Sequence, residues 1–167
     1  MEKAGMLTIA LTACLWDIKT GRIPNRLIAA GLAASLFWRV AGEGVWGILF
    51  WLGGAAFPLA SLGVLFYFRM LGAGDIKLLA VMGGFLGVRG SFRCVAGAIA
   101  AGGGLAILLM LGRRNLRSRI RCFLDYCRML ASERVWRGYD QGNLEGGMFH
   151  FSIPILISVL LHVGGVY

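Results

Sequence analysis

Apolar residues in this chain are gathered into six runs, at about Ala4–Trp16, Leu27–Val40, Val45–Phe68, Ile76–Val88, Cys94–Leu111 and Met148–Val166. The breaks hold Pro24, Asn25, Gly42, Gly44, Gly72 and Gly74, residues that interrupt helices for steric or entropic reasons. Crossing the hydrocarbon takes about 20 helical residues. The third run meets that length comfortably, whereas the first, second and fourth need flanking residues to complete a crossing. The pattern predicts an all-α fold: a polytopic membrane helix bundle of about six transmembrane helices. Only the stretch from Arg89 to Arg93 divides the fourth helix from the fifth. The expected organisation is one integral-membrane domain over residues 1–167.

Composition places that bundle in lipid. Hydrophobic residues make up 58% of the 167 residues and the mean hydropathy is +0.75, well above the half or so of apolar residues in a soluble domain. The formal charge of +9 would suggest nucleic acid in a soluble protein. Here membrane topology explains it, and no nucleic-acid partner is expected. With the N-terminus outside, the inner side holds Lys19, Arg22, Arg26, Arg69, Lys77, Arg113, Arg114, Arg117, Arg119, Arg121, Arg128, Arg134 and Arg137. The outer side keeps Lys3, Arg39, Arg89 and Arg93. This asymmetry has the sense of the positive-inside rule and sets the expected orientation in a prokaryotic plasma membrane.

Two acidic residues stand at the edges of apolar runs, Asp17 in LWDIKTGRIPN and Asp75 in MLGAGDIKLLA. A charge near hydrocarbon costs roughly 2.5–3.5 kcal/mol even on the lenient insertion scale, so carboxylates kept there point to a function. Asp17 closes the first predicted span and Asp75 opens the fourth. Two crossings lie between them, and both emerge on the cytosolic side, free to meet.

Paired carboxylates cannot both ionise cheaply, so one keeps a proton while the other acts as base. Such a pair activates a water against a peptide carbonyl and donates to the carbonyl oxygen, with neither metal nor cofactor. The alternative is a small membrane transporter or channel subunit using the aspartates as a proton or ion site. That function wants carboxylates near mid-membrane in broken helices of an inverted repeat. Here they flank the runs at one face, and the sequence holds no internal repeat.

Asp17-Ile-Lys-Thr-Gly-Arg-Ile-Pro-Asn resembles the first aspartate motif of type IV prepilin peptidases, and Gly72-Ala-Gly74-Asp75-Ile-Lys77 resembles their second motif, Gly-x-Gly-Asp-x-Lys. The resemblance implies an aspartic endopeptidase that removes the short basic leader of prepilin-like precursors at the cytosolic face. Asp17 and Asp75 would be its catalytic dyad. Around them, Pro24 and Asn25 would fix the turn into the second span. Gly72 and Gly74 would let the backbone approach an extended substrate. Lys77 would steady the Asp75 charge or mark the membrane interface.

The larger members of that family carry a cytosolic insertion with two Cys-x-x-Cys pairs between the first two spans, where this chain has a short turn. Cys14, Cys94, Cys122 and Cys127 form no such pairs, which leaves no structural zinc tetrad. The chain is therefore similar to the short, peptidase-only form that serves tight-adherence or Flp-type pili, without N-methyltransferase activity. The cysteines read as small apolar fillers or cytosolic thiols.

The polar stretch at about 113–147 spaces Ile120, Phe123, Leu124, Cys127 and Leu130 at helical intervals among arginines. It reads as a basic amphipathic helix on the anionic inner leaflet. Tyr139-Asp140 lies in this loop and reads as solvated. His150 and His162 read as interfacial residues, and Pro154 as a kink in the last span.

Overall fold

The computed structural model of the protein describes residues 2–68, 71–112 and 150–166. Among them every regular element is helical: α1 (Glu2–Thr20), α2 (Asn25–Glu43), α3 (Val45–Tyr67), α4 (Ala73–Gly112) and α5 (Ser152–Val163). The amphipathic helix expected at about 113–147, with Cys122, Cys127 and Tyr139-Asp140, lies outside the described residues.

Three of the predicted runs sit inside single helices. α1 has Glu2 in its first turn and Lys19 in its last, charges that suit the two ends of the helix dipole. It continues one turn beyond the apolar run, so Asp17 belongs to the helix itself, and Gly21 N–H closes that end on the Asp17 carbonyl at 2.7 Å. Pro24 supplies the extended residue before α2, with φ −64° and ψ 132°. Its carbonyl accepts from the Leu27 and Ile28 amides. α3 covers the third run almost residue for residue and carries a buried Pro58.

The fourth and fifth runs correct the sequence reading. Arg89 to Arg93, expected to divide them, are helical. The break falls at Gly87, with φ 69° and ψ −177°, a backbone state open essentially to glycine alone. The helix doubles back there: a Cβ placed on Gly83 would lie 2.7 Å from Ser91 Oγ, whereas eight residues of straight helix span about 12 Å. α4 thus consists of two arms, 73–86 and 88–112. Among the described residues the fourth and fifth apolar runs fall on these two arms, with the boundary moved to Gly87.

α4 forms the centre of the bundle. It packs most extensively on α3, then on α5 and α2. Gly54 of α3 and Gly83 of α4 meet backbone to backbone, since a Cβ on either would fall 2.1 Å from the other's carbonyl oxygen. This is helix packing through small residues, as the glycine content suggests. The core joins Met6, Ala10 and Ala13 of α1 to Leu78, Leu79, Val81 and Met82 of α4 and Ile155 and Val159 of α5. α1 has little contact with α2 or α4 and leans chiefly on α5.

α3 is long and apolar enough to cross a membrane by length and composition; α4 meets that measure when its two arms are counted as one continuous helix. α5 has 12 residues, or about 18 Å of helix, shorter than the predicted run Met148–Val166. Large apolar side chains face outward along the helices, among them Leu15, Trp16, Phe37, Trp46, Leu49 and Phe50. So much exposed apolar surface suits hydrocarbon rather than water.

Candidate active site

Asp17 lies on the last full turn of α1 and is buried, with 8% of its surface exposed. Asp75 lies in the first turn of α4 and is half-buried. The helices run so that both residues reach the same end of the bundle, where the two carboxylates interact electrostatically. At the opposite end Lys3 donates to the Val163 carbonyl, and Arg39 reaches the Phe85 carbonyl beside the Gly87 break. Two helices, α2 and α3, lie between the aspartates and return the chain to the same end.

The remaining motif residues gather around this pair in ways the sequence shows only in part. Gly72 leaves room for Asp75 itself: a Cβ there would lie 2.9 Å from Asp75 Oδ2, and the Gly72 amide donates to the Asp75 carboxylate. The Asp75 carboxyl group lies over its own loop, in the space a side chain at Gly72 would fill. A Cβ on Gly74 would sit 3.4 Å from Ile23, so the second motif packs closely on the first. Pro24 is half-buried at the start of α2, and Asn25 is exposed beside it.

Lys77 Nζ donates to Asn25 Oδ1 at 3.0 Å. The lysine therefore ties the second motif to the turn of the first. Spacing along the chain gives no sign of this bond, because its partners are 52 residues apart.

A further polar residue enters from the last helix. Ser152, fully buried at the first position of α5, donates from Oγ to Asp17 Oδ2 at 2.6 Å. Cys14, one turn before Asp17 on α1, hydrogen-bonds to the same serine and interacts electrostatically with Asp17. Cys14 and Cys94 are buried free thiols. Among the described residues, no three His, Cys, Asp or Glu side chains are grouped to hold a metal ion. His150 and His162 are half-buried at the two ends of α5.

The arrangement brings together two carboxyl groups on separate helices, each with one hydrogen-bond donor. Neither is in an ion pair with another described residue; the ion pair found there is Arg39–Glu43 at the far end. Two acids so placed retain acceptor capacity for a water and for a shared proton. The model of the type IV leader peptidase family matches residues 4–107, a stretch that includes both aspartate motifs and ends before α5. No curated protein and no solved structure matches the chain.

Proposed function

From the fact that this chain belongs to the type IV leader peptidase family, we propose that it is a membrane aspartic endopeptidase whose dyad is Asp17 and Asp75. It cleaves the basic leader from prepilin-like precursors at the cytosolic membrane face. The observation that carries the reading is the meeting of the two aspartates at one end of the bundle, with their charges coupled.

The chemistry follows from that coupling. One carboxylate takes a proton from a water as its oxygen bonds to the scissile carbonyl carbon, and the protonated partner donates to the carbonyl oxygen. Collapse of the tetrahedral intermediate breaks the C–N bond: the aspartate that took the water proton gives it to the leaving amine, and the hydroxyl formed from the carbonyl oxygen returns its proton to the other, so the dyad is again singly protonated. No cofactor enters these steps. The short turn between α1 and α2 holds no cysteine pairs, which supports a peptidase-only form without N-methyltransferase activity.

The bundle sits in the plasma membrane as six spans with the N-terminus outside, an orientation supported by the excess of Lys and Arg on the aspartate side. A precursor whose apolar helix lies in the bilayer then presents its leader junction level with the dyad. The arginine-rich stretch at 113–147 meets anionic lipid of the inner leaflet. Pro24, Asn25, Gly72, Gly74 and Lys77 support the dyad by shaping the two loops that hold it.

The test is processing of pilin-like precursors encoded beside this gene, followed by gel shift and N-terminal sequencing. Wild type, Asp17→Ala and Asp75→Ala are compared at equal expression. Leader removal is expected to vanish in both variants. Processing that survives either substitution overturns the dyad and favours the proton or ion site of a transporter.

A further inference from the structure

α5 bridges the helices that carry the two aspartates. It packs on both α1 and α4, while α1 and α4 have little contact with each other. On α4 those contacts fall on the 88–112 arm, at Cys94 and Gly102, while the arm that carries Asp75 meets the turn after α1 through Gly74 on Ile23 and Lys77 on Asn25. The seam is polar at two levels: Ser158 Oγ donates to the Cys94 carbonyl at 2.8 Å on the α4 side, and Ser152 Oγ donates to Asp17 Oδ2 at 2.6 Å on the α1 side. Both serines are fully buried.

Ser158 meets a backbone carbonyl and acts in packing. Ser152 meets a carboxylate of the candidate dyad. A buried hydroxyl donating to a carboxylate is a short, charge-assisted bond with a preferred direction, and it restricts rotation of the carboxyl group. The bond engages Oδ2 and leaves Oδ1 outside it. Ser152 is also the first residue of α5, so the positive end of that helix dipole faces Asp17. Asp75 from α4 and Cys14 from its own helix lie within electrostatic reach of Asp17.

We propose that Ser152 is a positioning residue for the reaction: its hydroxyl holds the Asp17 carboxylate through Oδ2, so that Oδ1 is presented to the attacking water and to Asp75. The inference rests on the peptidase reading. It adds to that reading a residue beyond the stretch matched by the family, residues 4–107, and makes the last helix part of the catalytic apparatus rather than a lid on the bundle.

The experiment uses the full chain reconstituted in liposomes with the pilin-like precursor that the wild type processes. It compares Ser152→Ala, Ser152→Thr and Asp17→Asn. Loss of a hydrogen bond to a charged group should lower kcat by about ten- to a hundredfold in Ser152→Ala, with KM little changed. Ser152→Thr restores the hydroxyl and should recover most of kcat, whatever the added methyl does to the melting temperature. A packing role would instead rank Ala above Thr.

The second readout needs no turnover. The infrared carboxyl band identified by its disappearance in Asp17→Asn should shift in Ser152→Ala and return in Ser152→Thr. Should Ser152→Ala fail to fold, Ser152→Cys, which keeps the volume with a weaker donor, is read by the same two measurements. Wild-type kcat in the serine variant, or an unshifted Asp17 band, overturns this inference alone. A wild-type protein that leaves the precursor uncut overturns the peptidase reading and takes the inference with it.

Discussion

At the end of the bundle remote from the aspartates, Arg39 donates to the carbonyl of Phe85 just before the Gly87 break and also pairs with Glu43 of its own helix. Its charge is matched by Glu43 and its Nη2 satisfies a carbonyl near the point where the α4 ladder is interrupted, while its Nε is buried with no hydrogen-bond partner among the described residues. At the other end, Asp17 is buried and Asp75 is half-buried. Each has one donor, Ser152 Oγ or the Gly72 amide, and no ion partner among the described residues. A carboxylate has about four lone-pair sites, so most of its capacity remains open at this end. The difference is one of charge: Arg39 is matched by an opposite charge, whereas Asp17 and Asp75 have each other's like charge for a neighbour.

The sharpest way to break the comparison is to neutralise one charge at each end. Asp75→Asn is expected to abolish leader cleavage, by a thousandfold or more, while leaving the melting temperature unchanged or higher, because an incompletely partnered buried carboxyl is costly to keep. Arg39→Met should do the reverse. It removes a hydrogen bond to a buried carbonyl and costs about 1–3 kcal/mol of stability, with kcat of the folded protein unaltered. Melting and turnover measured on the same samples decide it; a stability loss in Asp75→Asn equal to that in Arg39→Met would erase the distinction between the ends.

A second pair of substitutions tests how far the remote end is purely architectural. Gly87 adopts φ 69° with ψ −177°, and a side chain there costs up to about 3 kcal/mol in backbone strain. Gly87→Ala should therefore lower thermal stability markedly while leaving the pH profile and KM of cleavage unchanged. Gly54→Val presses side-chain atoms onto the Gly83 carbonyl, where even a Cβ would come within 2.1 Å. It is expected to weaken α3–α4 packing by about 1–3 kcal/mol. A change in cleavage specificity in either variant would show that the two ends communicate.

The same comparison explains what was legible in the chain. The apolar runs yield α3 nearly to the residue and α2 to within a turn at either end, and the Asp17 and Asp75 motifs fall at one end of the bundle, because burial and helix interruption are local properties of sequence. The division of α4 was misplaced at Arg89 to Arg93: arginines look like a boundary, yet one glycine in a left-handed state suffices to reverse the chain. Ser152 was unreadable for a different reason. A serine at the head of an apolar run signals nothing by itself, and its partner is 135 residues away. What sequence conceals at this site is the set of hydrogen bonds between helices.

Lys77 offers the finest test of that point, because its bond to Asn25 is exposed and sits between the two ends of the energy scale. A solvent-exposed amine–amide bond contributes about 0.5–1.5 kcal/mol at best, so Lys77→Met and Asn25→Ala should each cost little stability. If the bond serves to hold the Ile23-Pro24-Asn25 turn against the Gly72–Asp75 loop, each variant should slow cleavage by only a few-fold, and the double variant should be no slower than the worse single one. Fully additive losses would mean that the two residues act separately, with Lys77 working through its charge near Asp75. Shared losses would mean that the first motif contributes its turn as well as its aspartate, and that the lysine belongs to the scaffold joining the two motifs rather than to the electrostatics of the dyad.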